Sequence, residues 1–102
     1  MAPELLEGKQ YSIKVDVYSY GILLWEILSR KTPYKNLNSP MAILKYVAID
    51  KKRPSLDLID SECPKEIIEV MERCWEHEPS KRPDFRRIII DLKEIRDRCW
   101  YF

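Results

Sequence analysis

The run D-V-Y-S-Y-G-I-L-L-W-E-I-L, residues 16–28, decides how the rest of the chain is read. Apolar residues occupy 13, 15, 17, 18, 20, 22, 23, 24, 25, 27 and 28, which covers almost the whole circumference of a helix. Such a helix belongs at the centre of a domain, since a surface helix carries its apolar residues on one stripe. Ser12 is a suitable N-cap, so the pattern predicts a hub helix over 13–30. Gly21 lies in its interior, where glycine costs about 1 kcal/mol against alanine. Its presence predicts a close backbone approach by a neighbouring element. The run is far short of the roughly 20 apolar residues a membrane span needs, and Glu26 interrupts it.

Outward from the hub, prolines mark the helix starts. Pro3 opens a short helix over 3–7, and Ser39 with Pro40 opens a third helix over 40–49. Pro64 opens a fourth helix, with apolar residues at 67, 68, 71, 74 and 75 on one face. Pro83 begins the last, with apolar residues at 85, 88, 89, 92, 95 and 99. The segments 31–38, 51–63 and 76–83 read as loops. An all-α fold follows, one short helix and four main ones, with no repeat and no low-complexity tract.

Composition narrows the function. A chain of 102 residues holds one small domain, able to bury about 65% of its unfolded surface. Eighteen basic residues against seventeen acidic give a net charge of +1, with no polyanion-binding signal for nucleic acid. The two glycines, Gly8 and Gly21, are too far apart to form a phosphate cradle. Cys63, Cys74 and Cys99 fit neither a disulfide framework nor a zinc site and read as free thiols in a reducing compartment. No basic and apolar leader of a secretory signal is present. His77 has no second ligand near it in sequence and reads as a surface residue. Lys51, Lys52 and Arg53 read as a solvated basic run.

Three motifs stand in order: A-P-E at 2–4, D-V-Y-S-Y-G at 16–21, and C-W-E-H-E-P-S-K-R-P-D-F at 74–85. Together they resemble the C-terminal lobe of a eukaryotic protein kinase domain from the A-P-E motif onward, of the tyrosine-kinase-like or tyrosine kinase group. The resemblance spans essentially residues 1–102, as a partial kinase domain. Tyr18 stands where tryptophan is common in these kinases and keeps an aromatic ring with a polar tip.

The resemblance implies roles residue by residue. Glu4 and Arg82 correspond to a buried ion pair that ties the first segment to the loop before the last helix. Without the resemblance, Glu4 is a favourable charge at a helix start and Arg82 a solvated one. Asp16 corresponds to the residue that accepts backbone N–H bonds from the catalytic loop and organises it. Leu23 and Leu24 would support the apolar column beneath the adenine, and plain core packing accounts for them equally well. Tyr18, Gly21, Trp25, Trp75, Pro79 and Phe85 are read as core anchors. Thr32, Pro33 and Tyr34 match a turn after the hub helix, with Tyr34 packed rather than phosphorylated. Pro40, Met41, Leu44 and Lys45 on the third helix resemble the surface that kinases use to dock protein substrates or regulators, a candidate interface.

Phosphoryl transfer needs a Gly-rich loop, a strand lysine, an H-R-D-x-x-x-x-N loop and a D-F-G metal ligand. Here His77 is followed by Glu78, and Asp84-Phe85 by Arg86. The chain alone is therefore expected to have no catalytic, cofactor or metal residue and no activity. ATP and Mg belong to a complete parent kinase acting on Ser/Thr or Tyr, whose N-terminal part would be the chief partner. By the same resemblance Met1 is an internal residue of a W-M-A-P-E stretch, and the start reads as a cut edge with Glu4 frayed. Two other readings stay open, a short non-catalytic module binding kinase partners or substrates, and an unrelated helical bundle. The implied location is intracellular, in the cytoplasm or on the cytoplasmic part of a membrane receptor kinase. Deleting the hub's neighbours predicts an exposed apolar patch on it.

Overall fold

A computed structural model describes residues 2–8 and 12–99, the side chain of Cys99 excepted. Met1 and the thiol of Cys99 lie outside the described residues. Five helices run in order: α1 (Pro3–Leu6), α2 (Lys14–Ser29), α3 (Pro40–Leu44), α4 (Lys65–Cys74) and α5 (Phe85–Cys99). No strand occurs among the described residues.

The local chemistry of each end explains the boundaries. The Lys14 N–H donates to Ser12 Oγ at 3.2 Å, which satisfies one orphan donor at the start of α2. No glycine follows α2, so Arg30 itself takes the left-handed conformation, φ 59, and donates its N–H to the Glu26 carbonyl. The Ala42 N–H donates to Ser39 Oγ at 3.1 Å at the head of α3. The last helix starts two residues later than its proline predicts. Asp84 caps it, accepting from the Arg87 N–H at 2.9 Å.

The third helix departs from the reading of one α-helix over 40–49. After Leu44 it widens into a π turn, Lys45–Ile49, closed by the Asp50 N–H on the Lys45 carbonyl at 2.8 Å. Val47 and Ala48 are buried there side by side, while Ile49 faces solvent. The polar connections also hold short 3₁₀ turns, Leu56–Leu58 and Pro79–Lys81. In the first, Ser55 Oγ accepts from the Asp57 N–H.

The molecule measures 44 × 29 × 15 Å. Fifteen ångströms of backbone admit only two helix layers, given spacings of about 8–10 Å and a helix radius of about 2.3 Å. The hub helix α2 is therefore covered on one side. Its inner face enters two clusters, one with Tyr18, Ile22, Trp25, Val47, Met71 and Trp75, the other with Val17, Val70, Cys74, Ile88 and Ile95. The outer face carries Ile13, Leu23 and Ile27, 66%, 49% and 62% exposed. The predicted apolar patch is there, and the circumferential pattern is explained by it. Gly21 faces α4: a Cβ on it would lie 2.9 Å from Cys74 Cβ and 3.1 Å from the Met71 carbonyl oxygen.

Candidate functional site

Arg82 gathers three parts of the chain on one guanidinium: α1, the start of α2 and the segment that follows α4. Nη1 donates to Glu4 Oε2 at 2.8 Å and Nη2 to Glu4 Oε1 at 2.9 Å, a bidentate pair. Nε donates to the Glu76 carbonyl at 2.7 Å, Nη1 also to the Lys14 carbonyl at 3.0 Å, and Nη2 also to the His77 carbonyl at 3.2 Å. An arginine has five N–H donors, and five acceptors surround this one. Lys14 Nζ donates in return to the Arg82 carbonyl. Both charged side chains are buried, Arg82 wholly and Glu4 at 6% exposure. The frayed Glu4 expected from the sequence is thus replaced by a closed contact. Ala2, fully buried beside it, anchors the short helix.

Burial alone would push the Glu4 carboxyl up; the Arg82 hydrogen bonds and charge overcome that and hold it below the ordinary 4.5. A carboxyl whose pKa is depressed on folding stabilises the fold above its unfolded value, and that stability is lost as pH falls. The gap in melting temperature between the wild type and Glu4→Gln is therefore expected to be full at pH 7. It should close progressively below pH 4.5, which thermal melts across pH 2–7 would read. A constant gap would assign the stability to some other group.

Tyr18, fully buried, lies beside two guanidinium groups. Arg82 Cζ is 4.9 Å from its ring centroid and Arg53 Cζ 5.2 Å. The basic run 51–53, which its sequence predicts to be solvated, is not uniformly so. Arg53 is no solvated charge: Nε donates to the Trp75 carbonyl at 2.9 Å, and Nη1 to the carbonyls of Lys52 at 2.7 Å and Val47 at 3.3 Å. It clamps the end of the π turn to the end of α4. Lys51 and Lys52 beside it are exposed, so nothing in K-K-R-P marks the third residue as different.

The other sequence-predicted residues are dispersed around this centre. Trp25 is buried and donates Nε1–H to the Ser55 carbonyl at 2.8 Å. Trp75 is buried, Pro79 is half-buried in its 3₁₀ turn, and Phe85 meets Tyr20 edge-on at 5.9 Å. Tyr34 packs edge-on against Tyr46 at 5.8 Å, with its backbone in the left-handed region at φ 58. Asp16 sits exposed in the first turn of α2, on the same open side as Leu23. Leu24 is half-buried. On α3, Pro40 and Met41 are exposed and Leu44 half-buried, while Lys45 is paired loosely with Asp50 at 3.9 Å.

Residues 1–92 match the family profile of the protein tyrosine and serine/threonine kinases. The chain belongs to the protein kinase family. A probable LIM domain-containing serine/threonine-protein kinase of Dictyostelium discoideum is 41% identical over 100 residues, covering 95% of this chain and 14% of that protein. A serine/threonine-protein kinase of Arabidopsis thaliana is 43% identical over 95 residues, covering 93% and 16%. A dual specificity protein kinase of Dictyostelium discoideum is 35% identical over 99 residues, covering 97% and 18%. The kinase chain thus spans less than a fifth of the length of each of these relatives.

The described residues form no site that fits the nucleotide or the metal of a kinase. Among the described residues no group of three His, Cys, Asp or Glu side chains could hold a metal ion. Gly21 is filled against α4 and Gly8 stands alone, so neither serves a phosphate cradle. No helix among the described residues is long and apolar enough to cross a membrane.

Proposed function

We propose that residues 1–102 form the helical base of an ATP-dependent protein kinase domain that phosphorylates serine, threonine or tyrosine, and that this base alone transfers no phosphoryl group. The observation that carries the reading is the open face of α2. It exposes Leu23 and Ile27 beside the exposed Asp16 at the helix start, so apolar area and a carboxylate acceptor are both offered to a further layer. That layer is the rest of the kinase domain, with its catalytic loop on Asp16. Glu4 and Arg82 fix the end of the activation segment to this base. On this reading the protein works in the cytoplasm, or on the cytoplasmic part of a receptor. Met41 and its neighbours on α3 would remain at the surface of the whole domain as a docking site.

A segment exchange tests this. The present 102 residues replace the matching segment in the Dictyostelium LIM domain-containing relative, and peptide phosphorylation is assayed with Mg-ATP. The exchanged protein is expected to be active. Asp16→Ala within it should lower kcat on the order of 10²-fold, the scale of a misplaced catalytic loop. The isolated chain is expected to incorporate no phosphate. Phosphate incorporation by the isolated chain, or a folded exchange protein whose kcat ignores Asp16, would overturn the reading.

A further inference from the structure

Between the end of α2, the loop 31–38 and the first 3₁₀ turn lies a half-open cavity of about 570 Å³, within the usual range for ligand sites. Its walls are Trp25, Tyr34 and Tyr46, with Leu37, Pro54 and Leu58 completing an apolar lining. The walls are held in place. Trp25 is tied to the Ser55 carbonyl, and Tyr46 Oη donates to the Arg53 carbonyl at 3.2 Å. Tyr34 is presented from a left-handed backbone position that a bulky residue rarely adopts. Fixed aromatic walls lose little freedom when something enters.

Charge then selects what enters. Residues 30–53, whose loop and π turn supply part of this lining, carry seven basic side chains against one acidic, Asp50, and that one is paired with Lys45. Residues 57–78 carry eight acidic against two basic, so the net charge of +1 hides a strong asymmetry. Lys35 lines the cavity and Lys52 Nζ lies 5.8 Å from the Tyr46 ring. Lys35 makes no salt bridge among the described residues; Asp57 is the opposing charge, exposed on the 3₁₀ turn. We propose that this cavity is a docking pocket for an acidic protein segment, which seats one aromatic or aliphatic residue against Trp25 and the Tyr34–Tyr46 pair and sets its carboxylates beside Lys35 and Lys52. A single-residue pocket favours a peptide over a nucleic acid strand, whose successive bases would need an extended stacking platform. Docking here requires no ATP and no phosphoryl transfer, so it stands or falls apart from the function proposed above.

The test is a titration of the chain, by fluorescence anisotropy, with the labelled hexapeptide E-E-D-F-E-E at low salt. Saturable binding is expected, weakening steadily as salt rises. Replacing the peptide's Phe by Ala should weaken it about tenfold, as for an anchor residue in a pocket. Lys35→Glu, a change at an exposed position, should weaken it about fivefold, whereas Lys93→Glu on α5 should leave it unchanged. The lysine counterpart K-K-K-F-K-K should not bind. No saturation at millimolar peptide, indifference to the Phe or to Lys35→Glu, or equal displacement by an oligothymidylate of the same charge would each overturn the proposal.

Discussion

Arg82→Ala is expected to be the most damaging single truncation in the molecule, costing about 3–5 kcal/mol, the range for breaking one side of a buried ion pair. The reason is the number of groups it orphans. Glu4 keeps its charge at 6% exposure with no cation beside it, and the carbonyls of Lys14, Glu76 and His77 each lose a donor. For a domain near 100 residues, 1 kcal/mol moves the melting temperature by about 4–8 °C, so the midpoint should fall by well over 10 °C. Arg86, exposed on α5, is the control, and Arg86→Ala should stay within about 0.5 kcal/mol of wild type. Arg82→Lys should recover little, because an ammonium cannot reach five acceptors laid out for a planar fork. In a double-mutant cycle, Glu4→Ala combined with Arg82→Ala should cost far less than the sum of the two single losses, read by urea or thermal denaturation. Equal losses for Arg82→Ala and Arg86→Ala would show that the pair contributes nothing.

What the sequence made legible was whatever local pattern or motif spelling carries. Prolines and serines placed the helix starts to within a few residues, since caps and first turns are local chemistry. The nearly complete apolar circumference of 13–30 announced a helix needing neighbours on most sides, and the exposed Leu23 and Ile27 are that demand unmet. Glu4 and Arg82 were found only through their motifs, because a contact across 78 positions has no periodic signature. Arg53 shows the limit. It sits in a basic run that composition cannot tell from solvated charge, and its clamp on Trp75 and Val47 exists only once α4 has packed on α2. The π turn at Lys45–Ile49 escaped for a related reason: one extra residue per turn changes no residue type. The docking cavity is a product of three chain segments meeting, and only its charge bias was present in the one-dimensional string.

Gly21→Ala supplies the second large effect, and its sign is diagnostic. In an exposed helix interior this change stabilises by about 1 kcal/mol. Here the added Cβ meets Cys74 Cβ at 2.9 Å, the Met71 carbonyl oxygen at 3.1 Å and the Trp75 backbone nitrogen at 3.3 Å. Two of these atoms belong to the backbone of α4 and its cap and the third is fixed to it, so no side-chain rotation relieves them. Overpacking of this kind costs about 1–3 kcal/mol, which outweighs the propensity gain. Denaturant midpoints should therefore fall for Gly21→Ala and fall further for Gly21→Val, whose γ-carbons must enter the same gap. A stabilised Gly21→Ala would mean that α2 and α4 are not in contact at this point. The displacement also reaches the charged centre. The carbonyls of Glu76 and His77, which Arg82 binds, directly follow Trp75. Pushing the end of α4 outward moves them off the guanidinium. Gly21→Ala and Arg82→Ala should consequently be less than additive, since the first already loosens part of what the second removes.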